Sequence, residues 1–244
     1  MPDPVNQESV FPVYRARGAW ARLSLALLPA RCLACGEPGA GGRDLCAACR
    51  AALPANAPAC LRCALPLPAP GCCGRCQRRP PPLDAAHAAF AYAPPLDRLL
   101  PRYKFHRDLA AGRLLAQLMA EAFAGCERPL ALVPVPLHPA RLRARGYDQA
   151  LELARPLARA LGLPLHEGLL RRVRPTAAQS VLDAAARRRN LRDAFAVHGR
   201  PPLPAHVALV DDVMTTGATL HAAARALRRA GVARVDAWVC ARTP

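Results

Sequence analysis

The sequence predicts an α/β domain, a mostly parallel sheet with helices on both faces, preceded by a small cysteine-rich metal module. Three observations predict it. From residue 87 onward, short apolar runs alternate with stretches of helical apolar spacing, the pattern of strands joined by helical crossovers. One of those runs, Val207-Ala208-Leu209-Val210, is continuously apolar, as a strand buried on both faces requires. Nine of the eleven cysteines fall between Cys32 and Cys76, most of them in Cys-x-x-Cys pairs, a spacing that suits metal better than disulfides.

Composition sets the limits. Hydrophobic residues make up 52% of the 244-residue chain but aromatics only 5%, so the core is expected to be Leu, Val and Ala. Basic residues outnumber acidic ones 34 to 17, for a net charge of +17, and Lys104 is the single lysine. Genome base composition explains arginine over lysine; it does not explain the excess of base over acid. An electropositive surface attracts phosphorylated sugars, nucleic acid or an anionic membrane face. The apolar run Trp20 to Leu28 lacks a small-residue cleavage site and falls short of the roughly 20 residues of a membrane span. A cytoplasmic protein with no membrane span is expected.

Three segments follow in order. Residues 1–31 read as a polar tail and a short helix with Trp20, Leu23, Leu27 and Leu28 on one side. Residues 32–80 hold the cysteine module, and Arg78-Arg79-Pro80-Pro81-Pro82 reads as a stiff exit linker. Residues 85–244 form the α/β domain. There Ala88 to Tyr92 is expected as a strand, Leu96 to Tyr103 as a short amphipathic helix, and Asp108 to Phe123 as a helix with Leu114, Leu115, Leu118 and Met119 at helical spacing. Leu130 to Val135 is a buried-type strand, Tyr147 to Leu161 a helix stopped by Gly162, and Leu169 to Val173 a strand. Then come the strand Val207 to Val210, a helix from Leu220 to Ala230 with Gly231 as its stop, and a last strand, Val235 to Cys240.

In the cysteine module, Cys32 and Cys35 are followed after ten residues by Cys46 and Cys49, and Cys60 and Cys63 after nine by Cys73 and Cys76. Each set supplies four thiolates, enough for one tetrahedral structural zinc, so two zinc ions are expected. Sequential pairing is the simpler arrangement, and a cross-braced one stays open. Cys72 is spare. Arg43, Arg50, Arg62, Arg75, Arg78 and Arg79 interleave with the knuckles, either to meet nucleic-acid phosphates or to solvate the module.

The segment after the apolar strand carries the chemistry. Asp211 and Asp212 follow Val210 directly, at the carboxyl end where open parallel sheets bind ligands. Thr215, Thr216, Gly217, Ala218 and Thr219 then supply three hydroxyls, a glycine able to take positive φ, and backbone N–H groups at a helix start. Hydroxyls and amides suit a terminal phosphate; paired carboxylates suit the hydroxyls of a sugar. Together they describe a phosphorylated sugar ligand.

This run of four apolar residues, Asp-Asp, three variable positions and Thr-Gly-x-Thr resembles the signature of type I phosphoribosyltransferases. The resemblance implies that Asp211 and Asp212 bind the ribose hydroxyls of phosphoribosyl pyrophosphate and that residues Thr215 to Thr219 bind its 5-phosphate. It also implies Mg²⁺, bridging pyrophosphate and sugar oxygens and held mainly by substrate and water. Purine-salvage members carry an acid where Thr215 stands, so its absence argues against purine salvage. Val135 and Pro136 with Arg141 and Arg145 match the superfamily's pyrophosphate loop in position. Arg174, Thr176, Gln179 and Arg189 match its mobile hood, a water-excluding cover.

In order, Ala91 to Leu96, Tyr103-Lys104-Phe105, Val133 to Pro136, Arg145-Gly146-Tyr147-Asp148-Gln149, Thr176 with Gln179, Arg189-Asn190 and the phosphate loop are similar to the ComF family, which includes the relatives called GntX. One departure is Asp148, where the family commonly has Asn. The family implies a competence-associated protein of natural transformation that binds single-stranded DNA and works with helicase-like and other DNA-uptake proteins. Two alternatives stay open: an active Mg²⁺-dependent phosphoribosyltransferase of unknown acceptor, and a regulator that senses phosphoribosyl pyrophosphate.

Overall fold

A computed structural model describes residues 30–174, 194–199 and 202–244. The expected N-terminal helix and the hood positions Thr176, Gln179 and Arg189 lie outside the described residues. Four parallel strands form the sheet: β1 (Ala86–Ala91), β2 (Ala131–Pro134), β5 (His206–Met214) and β6 (Arg234–Arg242), in the order β1-β6-β5-β2. Short strands β3 (Leu170–Arg172) and β4 (Phe195–Val197) pair antiparallel with each other and stand apart from it. The expected strand over Leu169 to Val173 is therefore real, but it belongs to a small accessory ribbon.

The central strand shows why a continuous apolar run is needed. Val207 and Leu209 join one core cluster, with Leu220, Ala223 and Leu227 of helix α7 (Ala218–Arg229). Ala208 and Val210 join the other, with Leu114 and Leu118 of α4 (Leu109–Phe123) and Leu153 and Leu157 of α6 (Gln149–Leu161). Successive side chains of a strand point to opposite faces, so both faces must be apolar. On the α4 side, Phe123 packs on Trp238 of β6 with ring centroids 5.0 Å apart.

Two further helices flank the site, α3 (Leu96–Phe105) and α5 (Pro139–Arg145). The second of these occupies the stretch expected to be a basic loop. Two short helices, α1 (Ala47–Ala51) and α2 (Gly74–Arg78), each start at a knuckle cysteine. Strand β5 runs four residues beyond the expected Val210, because Asp211 to Met214 keep pairing alongside β6 as far as Arg242. That extension carries both aspartates out to the cavity edge on rigid backbone.

The cysteine module is docked on the domain. Cys32, Leu45 and Cys46 sit in the core cluster on the α4 side, and Cys60, Cys63, Cys73 and Cys76 in the one on the α7 side. Between the two knuckle sets the chain covers edge strand β1: Ala91 N–H donates to Pro54 O at 2.8 Å and Asn56 N–H to Ala89 O at 3.2 Å. Covering an edge protects its unpaired backbone from association. Arg43 and Arg50 both pair with Glu121 of α4, and Arg62 donates to Leu83 O at 3.2 Å. These three interleaved arginines fasten the module to the domain.

Candidate functional site

The knuckle cysteines group sequentially. The sulfurs of Cys32, Cys35, Cys46 and Cys49 lie within 4.8 Å of one another, as do those of Cys60, Cys63, Cys73 and Cys76. Cys72 stays outside the second set. The backbone favours thiolates: burial pushes Cys60 up, but the amides of Cys73, Arg62 and Cys63 outweigh it and bring the thiol down to about 6. Cys32 is likewise brought to about 6, by the amides of Cys46, Ala34 and Cys35 against its burial. Burial and the neighbouring sulfurs push Cys49 and Cys76 up instead, so it is the spacing of the four sulfurs in each set that fits a closed structural zinc site with no open position for substrate.

The second site lies at the carboxyl ends of β5 and β2. Asp211 to Leu220 line one side of a cavity of about 870 Å³, and Val135, Pro136, Arg141 and Arg145 line another. Every residue expected to bind the sugar, its 5-phosphate or the diphosphate thus faces a single space. Arg174 is exposed and is not part of the lining; its neighbour Arg172 is.

Local sequence explains the placement. Asp211 accepts the Asp212 N–H at 2.9 Å, and Asp212 accepts the Val213 N–H at 2.6 Å, so each carboxylate is braced by the next amide. Gly217 caps α7 with φ of +75°, and a Cβ there would meet Met214 Cε at 2.6 Å and His221 Nε2 at 2.9 Å. Only glycine fits the turn that brings the α7 amides to the cavity. Behind the loop, burial and Arg225 hold the His221 imidazole down to about 4, so it is neutral.

Helix α5 resolves the roles of its arginines. Arg141 and Arg145 are four residues apart, hence on one face, and both line the cavity, whereas Arg143 is exposed and outside it. Asp148 does not act as a phosphate donor. Its two oxygens accept Leu151 N–H at 3.2 Å and Leu137 N–H at 2.9 Å, capping α6 and clamping the turn after Pro136. A carboxylate serves both amides; an Asn side chain offers only one acceptor.

Among the lining residues outside the expected ligand set are Lys104, Gln149 and Arg172. Lys104 of α3 reaches across to Asp212, Nζ to Oδ2 at 2.9 Å. Burial pushes its ammonium down, but Asp212 and Asp211 outweigh it and hold the pKa above the usual lysine value. For Asp211, burial first and the neighbouring Asp212 second push the carboxyl up to about 8, against the pull of Lys104. Gln149, 3% exposed, lines the cavity with an amide nitrogen that has no hydrogen-bond partner among the described residues. A buried donor left without a partner marks a place prepared for a ligand acceptor. Arg172, also buried, completes the set.

Two family profiles match the chain: Double zinc ribbon domain over residues 23–77, and Phosphoribosyl transferase domain over residues 148–244. The chain is 41% identical over 177 residues to DNA utilization protein YhgH of Salmonella typhimurium, covering 70% of this chain and 78% of that protein. With the same coverage it is 38% identical over 178 residues to Competence protein F of Haemophilus influenzae, and 37% identical over 177 residues to the Escherichia coli K12 YhgH protein. The chain belongs to the ComF family. It combines two zinc-ribbon sites with a phosphoribosyltransferase domain.

One signal for the lysine was present in this ComF-family sequence: a sole lysine among 34 basic residues stands where arginine would be the default. A compact ammonium suits the tight gap beside Asp212 better than a planar guanidinium. Gln149 stood in the sequence only as the last residue of the Arg145-to-Gln149 motif and Arg172 gave no sign, because their place in the cavity depends on how α6 and β3 pack.

Proposed function

We propose that this chain is a competence-associated protein of DNA uptake that binds single-stranded DNA and holds phosphoribosyl pyrophosphate in the β5–α7 cavity. The names of its relatives, a DNA utilization protein and Competence protein F, support the pathway. One observation carries the ligand: Asp211, Asp212, the Thr215 to Thr219 loop, Arg141 and Arg145 all line one cavity, so carboxylates for sugar hydroxyls share it with amides, hydroxyls and cations for phosphate. Mg²⁺ would be held by the ligand's own oxygens and water beside Asp211 and Asp212, neutralising diphosphate charge. Lys104 pairs with Asp212 and pulls the Asp211 carboxyl down against its burial.

A second reading, transfer of the phosphoribosyl group to an acceptor, is favoured by Arg141 and Arg145. Guanidinium groups beside the diphosphate would stabilise it as it leaves C1 with the bonding electrons. Both readings require the same ligand. Phosphoribosyl pyrophosphate with Mg²⁺ is expected to raise the melting temperature of the protein, and Asp211→Asn with Asp212→Asn to abolish the rise. No shift in the wild type at millimolar ligand would sink the ligand reading. Affinity for a single-stranded oligonucleotide should fall steeply with salt, and absence of binding at low salt would remove the DNA reading.

A further inference from the structure

Phe105 ends helix α3 at the mouth of the cavity and is 68% exposed, the one exposed aromatic side chain among the described residues. A single exposed apolar side chain is ordinary on a protein surface; what sets this ring apart is its place on the cavity lining and its neighbours. The Arg145 guanidinium lies over the ring at 5.9 Å from its centroid, and Arg107 lines the same rim, close beside Gly146.

These two cations belong to the arginines for which no carboxylate partner stands among the described residues. Arg43, Arg50, Arg102, Arg113, Arg155, Arg228 and Arg234 all pair with carboxylates. Among the described residues, no ion pair engages Arg107 or Arg145. The ring is also held in place. Tyr103, two residues earlier, donates through its hydroxyl to Gln149 O at 2.5 Å, Tyr147 donates back to Tyr103 O, and the two rings stand 5.8 Å apart. This clasp joins α3 to the start of α6, so Phe105 sits on a rigid element.

We propose that Phe105 is a stacking platform for a nucleobase of single-stranded DNA, with Arg107 taking an adjacent phosphate, so that the strand binds at the mouth of the sugar-phosphate cavity. An exposed aromatic ring beside cations is the arrangement that binds single strands with little sequence preference, bases on the ring and backbone on the charges. In the zinc ribbons, Arg43, Arg50 and Arg62 are engaged in docking the module, while Arg75, Arg78 and Arg79 are exposed. The inference rests on the proposed DNA-binding reading and adds its location.

The test uses the full-length, zinc-loaded protein with oligothymidylate and with an abasic deoxyribose-phosphate oligomer of equal length. Phe105→Ala is expected to weaken oligothymidylate binding about ten-fold, within the range of base–aromatic stacking, and to leave binding of the abasic oligomer unchanged. Phe105→Trp is expected to retain affinity and to show fluorescence quenching by oligothymidylate but not by the abasic oligomer. The Mg²⁺–phosphoribosyl pyrophosphate melting shift should persist in Phe105→Ala. If the wild type binds oligothymidylate and Phe105→Ala binds it equally well, or loses both oligomers alike, the platform is overturned while the DNA reading stands. If the wild type binds no oligonucleotide, the DNA reading itself has failed.

Discussion

Asp211 is where folding and ligand binding pull apart. Its carboxyl is pushed up to about 8 by burial and by Asp212, whereas an unfolded chain would release that proton near the ordinary value of about 4. Below about pH 4 both states hold the proton. Between there and about pH 8 the folded state holds it more tightly, so stability falls as pH rises, and above about 8 the loss is complete. Asp211→Asn should therefore raise the melting temperature of the ligand-free protein by roughly 5 °C at pH 8 and by little at pH 4, measured by scanning calorimetry. An equal gain at both pH values would show that Asp211 is not held protonated. The aspartate pair was legible in the sequence because two acids after an apolar strand have few structural uses. Lys104, its partner, stood in the sequence as the sole lysine and within the Tyr103-Lys104-Phe105 motif, but its contact was hidden, since it spans more than a hundred residues of chain.

Helix α4 offers a test with an unusual sign. Replacing a glycine inside a helix by alanine ordinarily stabilises by about 1 kcal/mol. At Gly112, however, a Cβ would meet the Tyr103 ring at 2.5 Å, and Tyr103 is fully buried. Gly112→Ala should destabilise by about 2 kcal/mol in denaturant unfolding, and by displacing Tyr103 it should also weaken ligand binding. Stabilisation would show that α3 and α4 are not packed as described. Most elements were readable from periodicity and stops, Gly162 and Gly231 among them. Helix α5 was not: its seven residues, Pro-Ala-Arg-Leu-Arg-Ala-Arg, carry too little apolar patterning. The His138 side chain, which accepts the Ala140 N–H at 3.2 Å, is a weak start signal. The antiparallel pairing of β3 was also hidden, because three residues carry no record of the strand they will meet.

Across the whole molecule, a buried arginine links the second zinc ribbon to the phosphate loop. Arg242 is 3% exposed, and it donates from Nε to Cys63 O at 3.0 Å and from Nη1 to Met214 O at 3.2 Å, the residue just before Thr215. Arg242→Met should leave zinc content, read by metal analysis, at two per chain, while reducing the ligand-induced melting shift by half or more. A variant that keeps the full shift would show the two sites to be independent. Nothing in the sequence announced this link, since a C-terminal arginine in a chain so rich in arginine looks like surface charge.

The proposed hold of the β5–α7 cavity on both ends of a phosphoribosyl diphosphate can be read by titration calorimetry of phosphoribosyl pyrophosphate into the zinc-loaded protein with Mg²⁺. Saturable binding of one ligand per chain is expected, lost when Asp211 and Asp212 are both replaced by Asn and weakened without Mg²⁺. Binding of equal strength in the double variant, or none in the wild type, would contradict it.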